Sequence, residues 1–108
     1  LNDGFGCTSL GNLYYIGEGV KQDIFKAYEY YQKGCDLNDG GGCTNRGNSY
    51  CFGIGIKQDF FKANEYYKKG CDLNNGVGCT CLGNLYYFAQ GVKQDILRPM
   101  NIIKRAAI

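Results

Sequence analysis

The chain has 108 residues, with 12 Lys and Arg against 10 Asp and Glu, a net charge of +2, and no His. That balance is too weak for a surface that tracks nucleic-acid phosphates, and the lack of His removes His-based metal sites, Ser-His-Asp triads and Cys-His dyads. No apolar run is long enough to span a bilayer as a helix, and 7 Cys in so short a chain point to a disulfide-stapled, exported domain.

The length is three times 36, and the units 1–36, 37–72 and 73–108 align without a gap. The first two agree at 25 of 36 positions, whereas the third follows them closely only as far as Ile96. A period of this size predicts a stacked array in which each unit buries its face on a neighbour.

Each unit reads as two short helices. In the first, Asn2 or Asp3 caps a helix running to about Ile16, where Gly17 and Gly19 stop it. Cys7, Leu10, Gly11 and Tyr14 share one arc at about 100° per residue, the expected core stripe. Asp23 caps the second helix, which runs to about Cys35 and carries a matching stripe of Ala27, Tyr31 and Gly34. The small residues Gly11 and Ala27 recur as Gly47, Ala63 and Gly83 and let helix axes approach closely. In the second unit Arg46 replaces Leu at the edge of the stripe. Segments such as LYYI favour strands, but the spacing of the stripes is helical, not alternating. The Lys-Gln-Asp triplets at 21–23, 57–59 and 93–95 read as a solvated loop ending in a helix cap. Net charge runs from −2 in the first unit through +1 to +3 in the third.

The cysteines follow the same period. Cys35 with Cys43, and Cys71 with Cys79, each enclose seven residues centred on Asn-Asp-Gly or Asn-Asn-Gly. Such turns bring the end of one unit beside the start of the next, so each pair is expected to form a disulfide. The same rule places a partner for Cys7 eight residues upstream, before Leu1. Together with the missing initiator Met, this suggests an excerpt from a longer array. Cys51 and Cys81 do not repeat and, like Cys7, are expected to be unpaired in this chain. A four-cysteine zinc site lacks its usual Cys-x2-Cys knuckles, so no metal or other cofactor is expected.

CDLNDGGGC, LGNLYY before a Gly-rich loop, and GVKQD before KAxEYYxKGCD resemble Sel1-like repeats, and more narrowly the Helicobacter cysteine-rich protein family. The resemblance covers residues 1 to about 95. It implies an all-α fold, a right-handed α/α solenoid related to the tetratricopeptide repeat, with one disulfide per repeat. It also implies a secreted or periplasmic protein. Some members are grouped as penicillin-binding proteins with slow β-lactam hydrolysis, with a muropeptide-like ligand; others act in protein interaction or immune recognition. The third unit departs from the pattern as ILRPMNIIKRAAI, which reads as a basic capping helix starting near Arg98 and Pro99, or as a degraded tail.

A second arc of each first helix carries Thr8, Asn12 and Tyr15, then Thr44, Asn48 and Cys51, then Thr80, Asn84 and Tyr87. In tetratricopeptide-like folds the first helices line the concave surface, so these residues form the candidate groove for a protein, a peptide or a muropeptide. Asn donates to and accepts from a peptide backbone, and Tyr adds contact area at low entropic cost. The enzymatic alternative is β-lactam hydrolysis. It rests on the resemblance alone, because Ser9 and Ser49 both lack a Lys three residues on. A monomer with no membrane span and no nucleic-acid partner is expected.

Overall fold

Helix starts in this chain are set by acidic or amide caps. In a computed structural model, which describes residues 3–88, Asp3 accepts a hydrogen bond from Phe5 N at 3.1 Å and opens α1, Gly4–Ile16. Asp23, Asp39 and Asp59 do the same for α2 (Ile24–Asp36), α3 (Gly40–Phe52) and α4 (Phe60–Asp72). Asn75 accepts from Gly78 N at 2.8 Å and opens a fifth helix, α5, over 76–88. All regular structure among the described residues is helical. Asn2, the Lys-Gln-Asp of 93–95 and the expected closing helix lie outside them.

The first helix of each of the first two repeats ends on a glycine that adopts φ > 0, Gly17 at 81° and Gly53 at 64°, a conformation a side chain would strain. The loops then return to the helices they left. Asp23 N donates to Tyr14 O at 2.9 Å, and Gln22 Nε2 donates to Tyr15 O at 2.8 Å. The second repeat copies both bonds with Asp59 and Gln58. Gln therefore closes the C-terminus of the preceding helix, which corrects the expectation that it merely solvates the loop.

Repeats are joined by a shorter turn. Asn38 and Asn74 both sit at φ 65°, and the turn brings α2 against α3 and α4 against α5. The Cys35–Cys43 and Cys71–Cys79 disulfides form there as expected, each with a Cα–Cα distance of 4.5 Å. Cys7, Cys51 and Cys81 are free thiols.

The stripe on the second helices agrees with the sequence: Ala27, Tyr31 and Gly34 are buried, as are Ala63, Tyr67 and Gly70. The stripe on α1 needs correction. Its buried residues are Gly4, Thr8 and Gly11, while Cys7, Leu10 and Tyr14 are only half-buried. Small residues win that face because α2 runs so close. A Cβ on Gly11 would lie 2.7 Å from the Tyr31 ring, and one on Gly4 would lie 3.0 Å from Gly34 O. Larger side chains pack around the contact rather than through it.

Arg46, out of place on an apolar stripe, is accommodated by aromatics. Its guanidinium lies 4.9 Å from the Tyr50 ring centre, 5.4 Å from Tyr28 and 5.9 Å from Tyr66. It also donates to Ser49 Oγ at 2.9 Å.

Candidate functional site

The first helices of neighbouring repeats do not pack as tightly as the helices within a repeat, and a cavity opens at each junction. The first, of about 290 Å³, is lined by nine residues that include Asn12, Tyr15, Tyr31 and Asn48. The second, of about 340 Å³, includes Asn48, Cys51, Tyr67 and Asn84. Seven of the nine residues of the first recur 36 places on in the lining of the second, so the two are one site repeated. Asn48 and Phe52, both on α3, are common to the two linings.

One hydrogen bond organises each cavity. Tyr31 Oη donates to Asn12 Oδ1 at 2.7 Å, and Tyr67 Oη donates to Asn48 Oδ1 at 2.6 Å. Burial, then the neighbouring Tyr15 and Tyr28, push the Tyr31 hydroxyl up to about 12. Burial and the thiols of Cys51 and Cys81 push Tyr67 up as well. Both phenols therefore stay protonated and act as donors at neutral pH. Each Asn then offers its oxygen to the tyrosine, which leaves its NH2 group free to donate to another acceptor. In the first cavity Asn45 Nδ2 adds a further bond to Asn12 Oδ1 at 3.3 Å.

The raised phenols also make a stability prediction. A tyrosine whose folded pKa lies above its unfolded value of 10.0 has no effect on stability while both states are protonated. Above that pH the unfolded chain releases its protons first, so stability falls as pH rises towards 12. Thermal unfolding at about pH 11 should show a lower midpoint than at about pH 9, and Tyr31→Phe should remove part of the difference. An unchanged difference in that variant would assign the alkaline loss to other groups.

Of the residues expected in the groove, Asn12, Tyr15, Asn48 and Asn84 line it. The threonines do not. Thr8 is 6% exposed and Thr44 2%, both wedged between helices against Gly34 and Gly70 respectively. Thr44 Oγ1 donates to Asn75 Oδ1 at 2.8 Å and so supports the cap of α5. Thr80 and Tyr87 are exposed and line neither cavity. The tyrosine half of the site is not legible in the sequence, because Tyr31 and its counterpart 36 residues on, Tyr67, fall on the core stripe of the second helices. Asn45, Phe52 and Ile54 were also missed, and only the cross-repeat geometry brings them in.

Ser49 is 3% exposed, donates to Arg46 O at 2.6 Å and accepts from Arg46 Nη1. It is a nearly buried hydroxyl on the wall of the first cavity, already hydrogen-bonded to Arg46. No cluster of three or more His, Cys, Asp or Glu among the described residues could hold a metal ion. No described helix is long and apolar enough to cross a membrane.

Paired helices at a 36-residue period, stapled at each turn, define an α/α repeat solenoid, and the Sel1 repeat family model matches residues 5–39, 42–75 and 79–98. The chain belongs to the Sel1 repeat family. Among solved structures it is similar to a Sel1 repeat protein from Oxalobacter formigenes, at 30% identity and a TM-score of 0.76 over 83% of this chain and 37% of that one. It is also similar to cysteine rich protein B of Helicobacter pylori, at 38% identity and a TM-score of 0.68 over 73% of this chain and 59% of that one. The chain thus spans less than two thirds of either neighbour. No functionally curated protein matches it.

Proposed function

We propose that this chain is a non-catalytic binding module whose inter-repeat groove takes an extended peptide, in a free protein segment or in a muropeptide. The observation that carries this is the repeated Tyr-to-Asn bond. It presents a fixed carboxamide NH2 at the same place in successive repeats, with an aromatic wall beside it. A peptide backbone offers carbonyl acceptors at regular spacing, and pre-oriented donors bind them without ordering side chains anew. Residues 1–108 then act as one solenoid domain of three units, working as a monomer. The two disulfides fit a secreted or periplasmic protein, since such bonds persist in oxidising compartments.

The test is Asn48→Asp. Aspartate still accepts from Tyr67, so the fold is kept, but it has no NH2 and adds a charge that repels carbonyl oxygens. Binding of an array of unstructured hexapeptides and of muramidase-released muropeptides should weaken about tenfold or more, with the melting temperature nearly unchanged. Asn48→Ala is less clean, because it strands the Tyr67 hydroxyl, which points at Asn48 from 2.6 Å. Equal affinity of wild type and Asn48→Asp, or no binding of either ligand class, would sink the proposal. A chromogenic β-lactam should not be turned over; turnover lost in Ser9→Ala would assign an acyl-enzyme instead of a scaffold.

A further inference from the structure

The two cysteines that break the repeat pattern break it at positions that meet. Cys51 stands where Tyr15 stands one unit earlier, and Cys81 where Asn45 stands. In the first cavity Tyr15 and Asn45 share the lining, and in the second Cys51 and Cys81 share it. One exchange alone would leave an isolated thiol. Two exchanges, on α3 and α5 and in the same cavity, make a dithiol. A third residue ties them together, since the Tyr67 hydroxyl that bonds Asn48 also interacts with both thiols. Burial, and then the proximity of Cys51, push the Cys81 thiol up.

We propose that Cys51 and Cys81 form a redox site across the second groove cavity, which closes into an inter-repeat disulfide by exchange with a small-molecule or protein disulfide. One thiol, as its thiolate, attacks the incoming disulfide RSSR, forms a mixed disulfide and expels RS−, which takes up the released proton. The other thiolate attacks the cysteine sulfur of that mixed disulfide, closes the Cys51–Cys81 bond and releases a second RSH. Two cysteines are oxidised, one RSSR becomes two RSH, and nothing is left over. Burial keeps Cys81 in its thiol form, so closure quickens as pH rises.

The consequence lies in the groove. The staples Cys35–Cys43 and Cys71–Cys79 link helices consecutive in the chain. The new bond would join two first helices, α3 and α5, and change the second cavity while leaving the first open. Ligand affinity plays no part in the chemistry, so this proposal and the peptide-groove proposal fail separately.

The experiment uses the chain with Cys7→Ser, so that only the two groove thiols are free, incubated with oxidised glutathione at about pH 8. Thiol titration and non-reducing peptide mapping by mass spectrometry should show both thiols lost, a Cys51–Cys81 cross-link and no retained glutathione. Adding Cys51→Ser should instead leave one glutathione trapped on Cys81. Stable glutathione adducts on both cysteines would overturn the proposal. So would scrambling with the staples, or a pair that resists glutathione but binds one Cu(I), which would make it a soft-metal site.

Discussion

Replacing Gly42 by alanine is expected to destabilise the fold more than any other single-methyl addition to α3. A Cβ there would stand 2.7 Å from Thr8 Oγ1, 2.8 Å from Cys35 N and 2.8 Å from Tyr31 O. Two of these neighbours are backbone atoms of α2, which cannot rotate away. They cannot be pushed back easily either, since Cys43, the next residue, is bonded to Cys35. Overpacking of this kind costs about 3 kcal/mol at the upper end, against about 1 kcal/mol regained from alanine's helix propensity. The melting temperature should fall by roughly 10 °C. Gly41→Ala is the control: its Cβ would meet nothing closer than Asp39 Oδ2 at 3.2 Å, so it should be nearly neutral. Equal midpoints for the two variants would refute the close approach of α2 and α3.

Removing the staples should separate them by burial. Both close loops of the same size, with a sequence separation of 8, and so contribute the same chain-entropy term, about 2.5 kcal/mol each. Their surroundings differ. Cys35 and Cys43 are both 0% exposed, whereas Cys71 is half-buried and Cys79 exposed. Exchanging the first pair for alanines also empties a fully packed site, so urea unfolding should show a larger loss for Cys35→Ala/Cys43→Ala than for Cys71→Ala/Cys79→Ala. The difference should be about 1 kcal/mol or more. A larger loss for the second pair would mean that packing at the first contributes nothing.

Much of the architecture is legible in the sequence, for local reasons. Asp3, Asp23, Asp39 and Asp59 cap helices because a carboxylate two or three residues from an orphan amide reaches it without help from the rest of the chain. The staples follow from seven-residue spacing around a tight turn. The candidate site was only half legible. Asn12, Asn48 and Asn84 line the cavities, but Thr8 and Thr44, on the same arc, are buried. A helical wheel assigns faces by angle, and it cannot tell which of two flanking helices comes closer. Here α2 comes so close that it takes glycine and threonine as its contact surface, and the arc expected to face the groove is split.

The division into three times 36 determined that this protein is a stack of helix pairs, where each pair begins, and which cysteines join them. Those features depend on short-range spacing, which repeats with the unit. The tertiary structure alone decided that Tyr31 and Tyr67 hold the groove asparagines, that Ser49 is nearly buried, and that Cys51 and Cys81 share a cavity. The tyrosine bonds depend on how the two helices of one repeat are set against each other, and the meeting of Cys51 and Cys81 on how one repeat is set against the next, so residues 19 or 30 apart in the chain come together only once those angles are fixed.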